Sequence, residues 1–318
     1  MSGDPGPEIA VLGNLIVDDI VYADGRTRMG LAGGAVTHFA LGARLWNRSV
    51  GIVSVAGSDY PGDVMDGLAE SGVDLDGVRR VDGPGMRSWL LYEGSRRRVV
   101  HRLSSPRHED GSPDIGDIPA HWSPSVIHLA PMPLDRQRAW LRHLRPRTSA
   151  ILSVDPFALI SEQTWDDCID AFQGADVLLA SEDEVLLCPD VDHRDRWFGS
   201  GIPWVLVKQG AGGGTVYDTA GREVQRWAAR VATVVDPTGA GDAFAGGLAA
   251  GLAAGVAAGR ADDAGKGGAS RPSVREPLND ALNKAVVSAS FALESLDLRA
   301  MIDIEPSAAE ARRAEWFG

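Results

Sequence analysis

In the last third of the chain, Val235-Asp236-Pro237-Thr238-Gly239-Ala240-Gly241-Asp242-Ala243-Phe244-Ala245-Gly246-Gly247 sets a carboxylate among glycines where an apolar stretch begins. Asp236-Pro237-Thr238 reads as a turn and N-cap, and the Ala/Leu/Gly run to residue 258 reads as a buried helix. Gly239 and Gly241 would let an anion approach main-chain N–H groups, where the helix dipole favours negative charge. Asp242 could then take a proton from a hydroxyl nucleophile while those N–H groups hold a phosphoryl group in transfer, the two halves of a phosphotransfer site. An acidic first turn with glycines kept for close packing would give the same letters, so the run alone leaves both readings open.

Such a site needs elements that hold it. Residues 9–12 and 15–22 read as strands with Asp18 among them, Gly33-Gly34 opens a helical pattern over 35–46, and 50–55 is a buried strand. A helix over 60–71 follows, and then the strands 87–92 and 97–103 flank Glu93-Gly94-Ser95 as a hairpin that interrupts the alternation. Alternation resumes with strands at 126–130, 150–154, 177–180 and 205–207 and helices at 134–144 and 164–172. Strands separated by helices predict a parallel sheet covered on both faces. Residues 104–123 read as a surface loop, 259–277 as a polar, Gly-rich segment that is either a lid or an insertion, and the tail from Leu278 as helices.

Composition narrows the class. With 318 residues, 44% of them hydrophobic, the chain can bury one large α/β core. A formal charge of −13 opposes nucleic acid as a partner, and Arg96-Arg97-Arg98 is the densest basic run. Residues 1–8 carry no secretory pattern, and no uninterrupted apolar window approaches the ~18 residues of a membrane span, so a soluble, cytoplasmic protein with no membrane partner is expected. Cys168 and Cys188 form no CxxC, and the seven histidines show no H-E-x-x-H spacing, which disfavours a disulfide framework and a zinc hydrolase. A dinucleotide fingerprint fails at Phe244, and Gly265-Lys266 lacks the surroundings of a P-loop. Only Lys208, Lys266 and Lys284 among the 31 basic residues are lysines, so Lys208 stands out.

Asp236 to Phe244 resembles the C-terminal signature of the ribokinase-like, or PfkB, carbohydrate kinase family. Gly13 through Asp18, Gly33-Gly34, Ser181 to Glu184, Lys208 to Gly213 and the terminal helix follow that family's order across nearly the whole chain. The resemblance implies an α/β fold, a three-layer sandwich with a mostly parallel central sheet and a small β-sheet lid. It implies one kinase domain over 1–318, with lid strands from about 15–31 and 87–103. It makes Asp242 the base, the N–H groups of Gly239, Ala240 and Gly241 the anion hole, and Asp18, Gly33 and Gly34 the contacts to the acceptor's hydroxyls. Lys208, Gly210, Gly213 and Thr238 fall on the nucleotide side, and Glu184 on the magnesium side, with Ser181 where the family's Asn-x-x-Glu motif has Asn. His38 stands where many members place an Asn that touches substrate. Trp89, Tyr92 and Arg102 are candidates to face the acceptor or a neighbouring lid.

The implied reaction moves the γ-phosphoryl of ATP to a hydroxyl of a sugar or sugar-like molecule, with Mg²⁺ and optionally a monovalent cation such as K⁺. A nucleoside or inositol kinase of the same family is the alternative, and a non-catalytic sugar- or nucleotide-binding regulator is the alternative of another class. Family members pair through lid strands, so a homodimer through the lid is an expectation that Arg96-Arg97-Arg98 would oppose.

Overall fold

The computed structural model describes residues 6–46, 48–93, 96–157, 159–186, 200–231, 233–263, 278–295 and 297–318. Cys188, and residues 264–277 of the segment 259–277 expected as a lid or insertion, lie outside them, while residues 259–263 continue helix Ala240–Asp263. The hairpin turn at Gly94-Ser95 lies outside the described residues as well.

Short apolar runs become buried parallel strands. Among the described residues ten strands form the main sheet, in the order Glu223–Trp227, Gly214–Asp218, Trp204–Lys208, Val177–Ser181, Ile151–Val154, Val126–Leu129, Ile9–Leu12, Val50–Ala56 and Val73–Asp74, with Val78–Arg80 also paired to Val50–Ala56. All neighbours from Trp204–Lys208 onward are parallel. The two strands beyond that edge are antiparallel, and the sequence reading had not foreseen them.

Successive side chains on a strand point to opposite faces, so each strand feeds two cores. Ile9 and Val11 join the core under helices Ala35–Arg44, Ala240–Asp263 and Leu278–Glu294, while Ala10 and Leu12 join the core under Leu134–Leu144 and Trp165–Ala171. Helices on both faces of a mostly parallel sheet make the expected three-layer sandwich. By length and composition the stretch Ala240–Ala258 would suffice to cross a membrane, but 67% of that window is buried, which marks it as a core helix here. It packs backbone to backbone with helix Ala35–Arg44: a Cβ at Gly246 would overlap the Phe39 carbonyl oxygen.

A second, four-stranded sheet runs Thr27–Gly33, Ile16–Val21, Met86–Glu93 and Arg96–His101. One carboxylate staples it. Asp19, with no exposed surface, accepts Arg87 Nε and Nη2 at 2.7 Å each, Arg102 Nη1 at 3.0 Å and the Gly30 N–H at 2.9 Å. Burial opposes its charge, but the hydrogen bonds from Arg87 and Gly30 and the two guanidinium charges hold the carboxyl below the usual range. Arg102, a candidate to face the acceptor or a neighbouring lid, is engaged with Asp19, and its guanidinium lies 5.4 Å over the Trp89 ring.

Candidate active site

In parallel α/β sheets the crevice beyond the carboxyl ends of the strands is where ligands bind. That edge here carries Asn14, just after Ile9–Leu12, Asp155, just after Ile151–Val154, and Ser181 and Lys208, each the last residue of its own strand. Ser181 and Lys208 are register partners, so the two strand ends lie side by side.

The glycine-rich loop closes over this edge. The Thr238 N–H donates to Asp236 Oδ1 at 2.8 Å, an Asx turn that sets up the helix start, and Asp242 falls in the first turn of helix Ala240–Asp263. The Ala240 N–H makes a long bond to Pro237 O, 3.4 Å, and the Ala243 N–H donates to Gly239 O at 2.8 Å. Gly239 has φ +76°, in the left-handed region. A Cβ there would overlap the His38 ring, so His38 lies directly against the loop. His38 thus meets the glycine-rich loop as well as the pocket described below.

Four charged groups gather beneath the loop. Lys208 Nζ donates to Asp155 Oδ1 at 2.8 Å and stands 3.6 Å from where a Cβ on Gly241 would be. Burial alone would discharge this lysine, but the charges of Asp155, Glu184 and Asp242 outweigh it and raise its pKa, so Lys208 is a buried cation. Asp155 is pushed up to about 7 by burial and by the Glu184 and Asp242 charges, against the pull of Lys208. Glu184 is oriented by its own turn: its Oε2 accepts the Ser181 N–H at 2.6 Å.

On the other side of the loop the small sheet supplies Asp18, whose carboxylate lies against Gly33, so closely that a Cβ at 33 could not fit. The Tyr60 hydroxyl donates to Gly33 O at 3.1 Å, and burial, with the nearby Asp18 charge, raises its pKa so that it stays a neutral donor. Gly34, with φ +102°, precedes helix Ala35–Arg44. A pocket here is walled by Asp18 and Leu31 of the small sheet, His38, Asp236 and Thr238 of the loop, and Asp297. Two contacts tie the small sheet across it: Tyr92 Oη and Thr238 Oγ1 share a hydrogen bond of 2.8 Å, and Arg28 Nη2 donates to Asp297 Oδ2 at 2.9 Å. Tyr92 therefore reaches the loop.

The structure brings Asp18, His38 and Thr238 together around the pocket, and Lys208, Glu184, Gly241 and Asp242 together beneath the loop. Gly210 and Gly213 lie in the turn after Lys208. At Gly213, with φ +84°, a Cβ would overlap the Trp227 carbonyl, so strand pairing already demands this glycine. Sequence reasoning missed Asp155 and Asp19. The signal for the first was an acid directly after a short, wholly buried strand, Ile151–Val154; for the second, the adjacent carboxylates at 18 and 19.

Residues 7–304 match the sequence pattern described as pfkB family carbohydrate kinase. The chain belongs to the PfkB family. Among curated PfkB-like relatives, a cytidine kinase of Thermococcus kodakarensis is 28% identical over 258 residues, 76% of this chain and 87% of the relative. A fructokinase of Escherichia coli is 27% identical over 259 residues, 76% of this chain and 83% of its own length. Among solved structures, ribokinase from Giardia lamblia superposes with a TM-score of 0.75 at 15% identity, covering 98% of this chain and 99% of that one. A double mutant of fructokinase from Vibrio cholerae, solved with fructose, ADP and potassium ion, superposes at 0.71 with 20% identity, covering 96% and 98%. These likenesses establish the PfkB chain's fold as ribokinase-like.

Proposed function

We propose that this PfkB protein transfers the γ-phosphoryl group of ATP to a hydroxyl of a sugar or sugar-like acceptor. One observation carries the reading: a first-turn carboxylate, Asp242, a charged Lys208 beside Gly241, and a pocket walled by Asp18 and Thr238 all converge on the loop 236–242. The Vibrio fructokinase, solved with fructose, ADP and potassium ion, supports ATP as donor and admits a monovalent cation.

In this reading Asp18 and the Gly33-Gly34 backbone hold the acceptor's hydroxyls, and His38 and Thr238 wall the same space. Asp242 takes the hydroxyl proton as the new O–P bond forms and the bond to the β-phosphate oxygen breaks, releasing ADP. The N–H groups of Gly239, Ala240 and Gly241 hold the transferred group's oxygens, and Lys208 offsets their charge while Gly210 and Gly213 shape the nucleotide side. Among the described residues no three His, Cys, Asp or Glu are grouped to hold a metal by themselves. That fits Glu184 as a single carboxylate toward a Mg²⁺ that arrives on the nucleotide and keeps several waters. When bound, Mg²⁺ neutralises phosphate charge. The whole chain, 1–318, serves as one catalytic unit, and strands within 15–31 and 87–103 are its lid. Exposed Met29, Val99 and Val100 on that small sheet support pairing of two chains there.

A nucleoside acceptor is the second reading, favoured by the cytidine kinase relative at 28% identity. The test is acceptor-dependent ADP release over pentoses, hexoses, nucleosides and inositols, with wild type and Asp242→Asn. A positioned base contributes ~10²–10⁴-fold, so the variant loses at least that factor while keeping affinity for Mg²⁺·AMP-PNP. A near-wild-type rate removes Asp242 as base. Tight binding of one acceptor with no turnover on any identifies a regulator instead.

A further inference from the structure

Asp155 is a costly residue to keep at a strand end. Its side chain is only 3% exposed, Oδ1 accepts one bond, from Lys208 Nζ, and Oδ2 has no hydrogen-bond partner among the described residues. A buried carboxylate held by a single cation is poor evidence of a stability role, since an apolar pair of the same volume would serve as well. Its main chain is nevertheless fixed on both sides. The Asp155 N–H donates to Leu129 O at 2.9 Å, and buried Gln137 donates from one amide nitrogen to Asp155 O at 2.6 Å and to Ala130 O at 3.1 Å. The carboxylate thus stands on a fixed stretch of backbone.

Lys208 is the opposite: a cation on a long flexible stem that reaches from Trp204–Lys208 past Val177–Ser181 to the end of Ile151–Val154. Asp155 is its hydrogen-bonded partner, and the charges of Glu184 and Asp242 also act on it. Pairing with Asp242 would occupy the proposed base; pairing with Asp155 leaves the ammonium beside Gly241.

We propose that Asp155 is a positioning residue: it holds the Lys208 ammonium beside Gly241, where it meets the nucleotide's phosphates. The proposal rests on the reading of Lys208 and the 239–241 loop as the phosphate side of the site. It acts wholly through Lys208, which a double-mutant cycle can isolate.

The probe is Mg²⁺·AMP-PNP, titrated calorimetrically into wild type, Asp155→Asn, Lys208→Met and the double variant, with thermal melting recorded for each. Asp155→Asn is expected to weaken AMP-PNP about tenfold, the low end of what a hydrogen bond to a charged group contributes. Lys208→Met weakens it at least as much, and the double variant binds no worse than Lys208→Met. If Asp155→Asn costs its full factor again in the Lys208→Met background, or costs nothing where Lys208→Met does, Asp155 does not position the lysine. Wild-type affinity in Lys208→Met overturns the phosphate reading of Lys208 as well, which separates the two failures. Should Asp155→Asn not fold, Asp155→Glu keeps the charge but shifts the ammonium; it must weaken AMP-PNP by at least about threefold, a fraction of one such bond, and unchanged affinity overturns the proposal.

Discussion

Gly239→Ala places two separable demands on one residue. With φ at +76° the new side chain must adopt a left-handed conformation, which costs about 1–2 kcal/mol for an L-residue. Its Cβ would also stand closer than 3.0 Å to Cγ, Cδ2 and Nε2 of His38, so the ring or the loop must shift, an overpacking cost of about 1–3 kcal/mol. The sum is about 2–5 kcal/mol in urea denaturation at pH 7. His38→Ala in the same chain removes the obstacle and leaves the backbone cost. The double variant is therefore expected to be more stable than the sum of the singles by about 1–3 kcal/mol. Because the shift turns loop N–H groups away from an anion, Mg²⁺·AMP-PNP should bind Gly239→Ala at least about tenfold more weakly, less than the ~10²–10³ a lost oxyanion donor costs in rate. Additivity of the two substitutions within about 0.5 kcal/mol, or unchanged nucleotide affinity, would refute the coupling of His38 to the loop.

Two further expectations concern the core and the small sheet. His128 is 1% exposed, with Nδ1 2.9 Å from Ser153 Oγ and its ring 4.5 Å from that of Phe39; burial first, and the Lys208 charge second, lower its pKa from 6.5 to about 3. Between those values the unfolded chain binds a proton that the fold refuses, so wild type should lose about 2 kcal/mol relative to His128→Asn from pH 7 to pH 5; a pH-independent difference in urea midpoints would contradict it. Tyr92→Phe removes the 2.8 Å bond to Thr238. Amide exchange in Thr27–Gly33 and Met86–Glu93 should accelerate about fivefold, the equivalent of one ~1 kcal/mol hydrogen bond; unchanged protection there, read by mass spectrometry, would rule out a latch.

The glycine-rich loop was legible because its geometry is local. The Asx turn at Asp236, the left-handed Gly239 and the first-turn Asp242 are properties of seven consecutive residues. The sandwich was legible because strands buried on both faces leave continuous apolar runs, as at Ile9–Leu12 and at Val177 to Ala180. Asp155 was not, since it meets Lys208 across 53 residues and only the strand order brings the two ends together. Nor could adjacent acids declare their faces: Asp18 turns to the pocket, while Asp19 turns to arginines 68 and 83 residues away. Gly214–Asp218 and Glu223–Trp227 pair antiparallel beyond the parallel strands, and in the outermost, Glu223–Trp227, half-exposed side chains blur the pattern.

The staple at Asp19 also constrains movement. Strands Ile16–Val21 and Met86–Glu93, the backbone of Gly30, and Arg102 beyond Arg96–His101 all converge on its two oxygens, so the small sheet is braced as a single paddle. Bending is left to its joints with the main body, residues 13–15, Gly33-Gly34, the stretch before Met86 and the stretch after Arg102. The contacts at Arg28 and Tyr92 sit on different strands of that paddle, so neither can open alone without straining the other. Separating the small sheet from the far side of the pocket therefore requires breaking both contacts, one on each strand.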